Sequence, residues 1–507
     1  MANEIPQSEA PFRKFCIRDN GSDWDDSLVT IDSLLNPCGE AFASLSSSQV
    51  EGLKRMKNML LRPVHRREEV HIPRELLSMD DEDDDVSNYL ISNFGGVAKE
   101  KKSLKKLVRR TMMANTFIRT LSRKIKVKEL PTFVPDEFLT MSKERQRVVY
   151  ERLSWKNLCK WNFNVFELHE ITDGLPLLFV SWAIICSPHS QEAMGKVCGC
   201  ANEEDMSGGY DFKSSFEFSS ENLIKFLRFI DKSYQPGNAY HNNCHAADVI
   251  QTLNCLFQFG LNKATSALKI FAVLLAAVCH DLDHPGFNNS YQVNARSKLA
   301  ILYNDKSVLE NMHASKVFEK LIGEERDPKI DIFVGLNKSQ VNTIRHVMVE
   351  AILHTDMTKH FETVNVMKAM ALRHEDKQNI LDLDDADETT LFFYLLHAAD
   401  ISNPTKPAPI CVDWADRCLE EFFAQGDLEK KNGLPVSPLC DRETTFRPQS
   451  QIGFIKFVII PTFTVLADFI PEVNDEILPT TRENLAFWEK EKSLEDEKKA
   501  NNIERSS

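Results

Sequence analysis

Several familiar signals are missing from this chain of 507 residues. Its start, MANEIPQSEAPFRKF, has no apolar h-region, so nothing there reads as a secretory signal. No apolar stretch reads as the ~18–20 residues of a membrane span. The expectation is therefore a cytoplasmic chain with no transmembrane segment. Positive charge is not in excess. The 61 Lys and Arg against 75 Asp and Glu leave a net charge of −14, which argues against nucleic acid as a partner of the whole chain. An anionic substrate would need a local reversal of that field. Cys198 and Cys200 form a CxC, but no second cysteine pair completes a zinc set. The 12 scattered cysteines read as reduced structural thiols. No internal repeat is visible, and strand-type alternation is nearly absent.

What is present divides into two parts. Residues 1–147 carry an acidic run, Asp80 to Asp85, and a basic block over 99–128 with 12 Lys or Arg and one Glu. Ser- and Pro-containing pieces separate short helical patterns there, the composition of a partly disordered or helical regulatory arm. From about Ser154 the pattern becomes helical. SSENLIKFLRFIDKSY, TSALKIFAVLLAAVCH, QVNTIRHVMVEAILHTDM and DETTLFFYLLHAAD each place apolar residues at i, i+3 and i+4. The expectation is an all-α domain over 148–496 with a polar tail at 497–507. The Gly-, Ser- and charge-rich piece 187–215 reads as a surface loop insertion.

Four clusters could carry chemistry. In YHNNCHAADV, His241 and His245 are four apart and would share a helix face. HDLDHPGFNN puts His280 and Asp281 at the end of an apolar helix, where an unpaired charge costs several kcal/mol. LHAAD ends a third apolar helix on Asp400, and SQIGF offers Gln451 and Phe454. A single histidine on such a helix is ordinarily a hydrogen-bonded core residue. Three helix ends bearing His and Asp can instead build a metal site in a bundle. Two imidazoles and two carboxylates suit zinc or a similar cation, and a shared carboxylate with water suits magnesium or manganese. Spacing alone leaves a metal site and a structural polar network both open. Phe454 alone would read as core, Gln451 as a packing residue, and Glu310 and Asp356 as caps or ion-pair partners.

With these motifs, and with ILYNDKSVLEN, HTDMTKHF, HAADISNP, EEFFAQGD, SPLCDRE and QSQIGFI in family order, the sequence resembles the class I cyclic nucleotide phosphodiesterases. GLPVSPLCDRE and WNFNVFEL look most like the calcium/calmodulin-stimulated subfamily. The resemblance implies an HD-type metal site and hydrolysis of cAMP or cGMP to the 5′-monophosphate by a two-metal mechanism with a bridging hydroxide. It implies His245, His280, Asp281 and Asp400 around a tight metal, usually zinc. Asp281 would be shared with a second metal, magnesium or manganese. His241 would protonate the leaving 3′ oxygen. Gln451, Phe454, Cys418, Asn403 and Tyr240 would line the nucleotide site. His284, Glu310, Thr355 and Asp356 would support the metals' water shell and the acid.

Three positions depart from the family. Met312 and His313 stand where two histidines are usual, and Cys418 replaces a larger aliphatic residue opposite the stacking Phe. Asn403 stands where the calmodulin-stimulated group tends to have His. In the basic block, Leu104, Val108, Met113 and Phe117 sit at relative positions 1, 5, 10 and 14, the anchor pattern of a helix that calcium/calmodulin can wrap. A solvated basic helix or a membrane-surface helix is the alternative for this block. For the whole chain, the alternatives are another HD-type metal-dependent nucleotide hydrolase and an inactive scaffold that binds calmodulin or cyclic nucleotide. Oligomeric state is not readable, which leaves a homodimer open.

Overall fold

The computed structural model describes residues 134–200, 208–259, 266–374 and 383–506. Among them every regular element is helical, as the all-α reading expects. Leu104, Val108, Met113 and Phe117 lie outside the described residues, as do residues 201–207. Thr132–Ser507 forms one compact unit.

The core is framed by α1 (Pro176–Ile185), α2 (Ser220–Ser233), α3 (Asn243–Gln258), α4 (Ala267–Cys279), α5 (Val308–Ile322), α6 (Lys338–Leu353) and α7 (Asp385–Asp400). Then come α8 (Ala408–Lys431), α9 (Arg447–Phe454) and α10 (Leu478–Ser506). The helix α4 is buried on nearly every side from Lys269 to Cys279, as an all-round apolar helix must be. It packs along α6, α3 and α7.

Charge sets the alignment of α4 and α7. Lys269, near the start of α4, donates to Glu388 Oε2 at 2.8 Å and Thr389 Oγ1 at 2.9 Å, near the start of α7. The two helices therefore run side by side in the same direction. They end within one residue of the same length from that tie, at His280 and Asp400. The first turn of α3 meets these two ends. One end of a three-helix cluster thus collects His245, His280 and Asp400.

Three sequence-based boundaries change. The piece 187–215 is not one loop. His189–Cys198 is a helix that buries Ala193, Met194 and Cys198, and it packs on the helix Lys143–Arg152. Tyr210 stacks on Phe212 at 4.8 Å, and Phe212 is fully buried against Phe271. The Gly, Ser and charge content had masked these aromatic anchors. Residues 136–147, grouped with the arm by composition, pack on this unit. Phe138 has no exposed surface, and Glu137 accepts two hydrogen bonds of 2.7 Å from Arg228. Residues 497–506, read as a tail, continue α10.

A further correction concerns hydropathy. Arg447–Ala467 is long and apolar enough to cross a membrane by length and composition. Its helical path runs from α9 through a π turn, Ile455–Ile459, into the helix Ile460–Ala467. Ile452, Ile455, Ile459, Phe463 and Leu466 are buried in the fold, so one face of this stretch is core. Gln451 and Lys456 interrupt the apolar run in the one-dimensional reading, but the helix does not stop at them.

The loop before α9 is latched onto α8. The buried Glu429 accepts from the backbone N–H and hydroxyl of Ser437 at 2.7 and 2.6 Å. Gly426 lets the loop approach: a Cβ there would lie 1.9 Å from Cys440 O. In an open helix Gly→Ala gains about 1 kcal/mol. Here overpacking, typically about 1–3 kcal/mol, opposes that gain. Gly426→Ala is expected to destabilise the protein in urea unfolding, and a stabilised variant would show that the loop yields freely.

Candidate active site

Asn242 caps α3 through its side chain, accepting from Cys244 N at 2.9 Å and His245 N at 3.4 Å. His245 is therefore in the first helical turn and has no exposed surface. His241 lies before the cap, in a turn rather than on the helix. The shared face expected from the i, i+4 spacing is replaced by a loop placement, although the two rings remain 5.9 Å apart. His280 follows α4 directly. Its Nδ1 donates to Ala277 O at 2.8 Å, so the lone pair of Nε2 turns inward.

Four ligand atoms converge there, all within 4.8 Å of one another: one each from His245, His280, Asp281 and Asp400. His245 Nε2 is 2.9 Å from Asp400 Oδ1 and 3.3 Å from His280 Nε2. His280 Nε2 is 3.1 Å from Asp281 Oδ2. Burial opposes charge on His280, but Asp281 and Asp400 raise its pKa well above the ordinary value. Burial likewise opposes ionisation of the two aspartates, yet the His280 charge holds both below the usual carboxylate range. The cluster therefore attracts positive charge. Two nitrogen and two oxygen donors, with one imidazole tautomer already set by a carbonyl, fit a divalent cation of the zinc type. Asp281 also faces a second direction: its Oδ1 is 3.8 Å from His313 Nε2.

Beside the cluster stands an acid–base pair. Glu421, on α8, contacts His241 Nδ1 through Oε1 in a short hydrogen bond. Its Oε2 accepts from the backbone N–H groups of Tyr240 at 2.8 Å and His241 at 3.0 Å. A carboxylate only accepts, so Nδ1 carries a proton and Nε2 is the ring's free position. Burial works against a charged His241, but Glu421 and Asp281 push its pKa up to about 9. Glu421 is itself depressed to about 2, since the His241 charge outweighs its burial. His284 stacks on His241 at 4.0 Å. Burial and the His241 charge hold its pKa well below the ordinary value.

Asn238 ties the two loops of the site, donating to His241 O at 2.9 Å and His284 O at 2.7 Å. Gly286, at φ +78, passes so close that a Cβ would lie 2.8 Å from Asn238 Oδ1.

The remaining expected residues separate into groups. Glu310 accepts from Asn289 at 3.0 Å through both oxygens. Burial and the nearby Asp356 raise its pKa to about 7. Asp356 accepts from Ser307 Oγ at 2.7 Å and caps Thr358 N at 2.9 Å, and Thr355 donates to Ile352 O at 2.8 Å. Tyr240 lies over His245, ring centres 4.6 Å apart, and its hydroxyl donates to Asn403 Oδ1. Cys418 is one turn before Glu421 on α8, and burial lifts its thiol to about 12. Gln451 and Phe454 are three apart on α9, Gln451 buried and Phe454 partly so.

Glu421 and His313 had no assigned role in the sequence. Glu421 lies with Trp414, Gln425 and Glu429 at helical spacing on the buried face of α8, three of these four being polar, and only that burial singles it out.

Residues 240–479 match the family described as 3′5′-cyclic nucleotide phosphodiesterase. These residues form a domain of the cyclic nucleotide phosphodiesterase type. It is 35% identical over 395 residues to the dual specificity calcium/calmodulin-dependent 3′,5′-cyclic nucleotide phosphodiesterase 1B of Mus musculus, covering 76% of this chain and 64% of that one. It is 32% identical to the 3′,5′-cyclic-AMP phosphodiesterase 4C of Rattus norvegicus, covering 71% of this chain and 62% of that one. It thus spans less than two thirds of these relatives' lengths. The phosphodiesterase domain of the Salpingoeca rosetta rhodopsin phosphodiesterase has a similar structure, with TM-score 0.57 and 27% identity, over 72% of this chain and 99% of that one.

For this phosphodiesterase domain, Asp400→Ala is expected to lose the tightly held divalent metal while helical circular dichroism persists. Elemental analysis of the purified variant is the check, and undiminished metal content would remove Asp400 from the ligand set.

Proposed function

We propose that the domain hydrolyses 3′,5′-cyclic nucleotides, cAMP or cGMP, to 5′-nucleoside monophosphates in the cytoplasm. The observation that carries this reading is the placement of the His241–Glu421 pair beside the four-ligand cluster. A protonated imidazole thereby stands next to a site that attracts cations, in a chain of this family. Zinc is proposed at His245, His280, Asp281 and Asp400, with magnesium or manganese at a second position sharing Asp281. Bound there, such ions neutralise phosphate oxygens and make water a competent nucleophile near neutral pH.

The protein's own residues perform the proton work. Ring opening adds a water oxygen to phosphorus and breaks the bond from phosphorus to the 3′ oxygen. That leaving oxygen needs a proton, and His241 holds one at Nε2. Glu421 keeps Nδ1 protonated, fixes the ring, and stabilises its positive charge until transfer. Neutral His284, stacked on the same ring, adds no competing charge. Gln451 would hydrogen-bond the purine, and Phe454 would stack on it with Cys418 opposite. An amide supplies both donor and acceptor, which suits either base.

His241→Asn is expected to leave metal content intact and lower kcat by roughly 10²–10⁴, the weight of a positioned acid. Loss of metal in parallel would instead make His241 a ligand. The sign of the pH dependence follows from the raised pKa. The acid is available below about 9 and is lost as pH rises through that value. Glu421→Gln removes the raising charge, so the alkaline limb of kcat should move to lower pH. An unmoved limb would assign it to another group.

The names of the related 1B enzymes support regulation by calcium/calmodulin. The basic segment 99–128 is the proposed contact, with Leu104, Val108, Met113 and Phe117 as anchors and its Lys and Arg speeding encounter. A peptide of residues 99–128 is expected to bind calcium-loaded calmodulin by titration calorimetry at physiological salt. Absence of binding would separate the segment from any calmodulin response.

A further inference from the structure

Lys406 and Asp248 form a charge pair with no exposed surface on either side chain, 3.7 Å from Nζ to Oδ1. Lys406 Nζ also donates to Thr252 Oγ1 at 2.7 Å and Trp161 O at 3.2 Å, and lies 4.7 Å from the Trp161 ring centre. A lone charge at such depth is strongly unfavourable, and the pairing compensates both charges. The other oxygen of the aspartate, Oδ2, accepts from Asn403 Nδ2 at 3.0 Å. Asn403 Oδ1 accepts from the Tyr240 hydroxyl. The Tyr240 ring lies 4.6 Å from His245 and 4.8 Å from His241.

The direction of this chain follows from its first member. An ionised carboxylate has no proton to give, so the Asn403 amide must present NH₂ to Asp248. Its carbonyl oxygen therefore faces Tyr240, and Tyr240 must donate. The single hydroxyl proton of Tyr240 is thus spent on Asn403. At its other end Tyr240 is held by Glu421, which accepts from its backbone N–H at 2.8 Å. Trp161 Nε1 donates to Thr405 O at 3.1 Å, and Asn484 donates to the carbonyls of Pro404 and Lys406 at 2.8 and 2.7 Å. The backbone bearing Asn403 and Lys406 is thus anchored independently of Asp248.

We propose that Asp248, paired with Lys406, is a positioning residue for catalysis. It sets the direction of the Asn403–Tyr240 hydrogen bonds and so holds the Tyr240 ring against His241 and His245. Asp248 touches neither substrate nor metal in this role. It acts through two side chains, and a neutral residue in its place lets the amide turn over, so that the Tyr240 hydroxyl loses its fixed acceptor. This rests on the phosphodiesterase reading above.

The test uses the full chain with Asp248→Asn, Tyr240→Phe and their combination, measured for kcat and KM on cAMP and cGMP, metal content and thermal midpoint. Asp248→Asn is expected to lower kcat by about tenfold, a modest part of what sub-ångström misplacement can cost. Bound metal should be retained. In the Tyr240→Phe background the same change should cost little further kcat, because the hydroxyl it acts through is gone. Removing the aspartate charge also strands Lys406, so Asp248→Asn is repeated with Lys406→Met, which removes both charges. That double variant should recover thermal midpoint but not kcat. If kcat recovers with stability, or if Asp248→Asn costs as much with Tyr240→Phe as without it, Asp248 is structural only and the proposal is wrong. A wild-type chain that turns over neither nucleotide would instead defeat the phosphodiesterase reading itself.

Discussion

Two buried imidazoles and two partly exposed carboxylates face one another, and the rest of the domain is arranged around that convergence. His245 and His280 have no exposed surface, and their Nε2 atoms stand 3.3 Å apart. Buried donors so close cannot all be satisfied by one another. The local charge has to be completed by protons or by a cation. The helices deliver these groups by ending. The lengths of α4 and α7 bury mostly aliphatic and aromatic side chains, and α3 also buries Asp248, Gln251, Thr252 and Asn254. One end of each helix carries a His or Asp of the cluster. The Lys269 tie at the far ends of α4 and α7 keeps that end in register.

Around the cluster, charge is handled in pairs. Glu421 compensates His241, and Lys406 compensates Asp248. Each pair leaves one group performing a second task. His241 keeps a proton at Nε2, and Asp248 keeps an acceptor for Asn403. Tyr240 belongs to both pairs, through its backbone N–H to Glu421 and its hydroxyl to Asn403. The aromatic ring over His245 is therefore fixed from two directions by two buried carboxylates. Neutral polar contacts alone would allow the amide and the hydroxyl to exchange roles. A buried charge removes that freedom because it accepts only.

Much of this was legible in one dimension, and the legible part has a common character. Apolar spacing of 3.6 residues marked the helices 220–233, 267–279, 338–353 and 385–400 with little error. An imidazole or carboxylate at the end of a wholly apolar helix is conspicuous because burial makes it costly. His280, Asp281 and Asp400 were therefore visible as candidates before any coordinates. Elements whose burial depends on partners far along the chain were harder to see. The helix 189–198 is polar enough to pass for loop until it packs on 143–152. Glu421 passes for one more charge on a surface helix until His241 is found against it, 180 residues away in sequence.

The sequence by itself determined which residue types sit at the ends of which helices, because periodicity and the cost of burying polar groups are local facts. It determined the all-α class for the same reason, while the choice of His245 to stand with His280, Asp281 and Asp400 came from the resemblance to the family. Only the tertiary structure decided which of those ends meet, that His241 lies before its helix rather than on it, and that Asn403 has its amide held between Tyr240 and Asp248. Those outcomes depend on hydrogen-bond direction and on distances across 155 to 181 residues of chain. No local spacing encodes them, since the partners become neighbours only when the helices between them have packed.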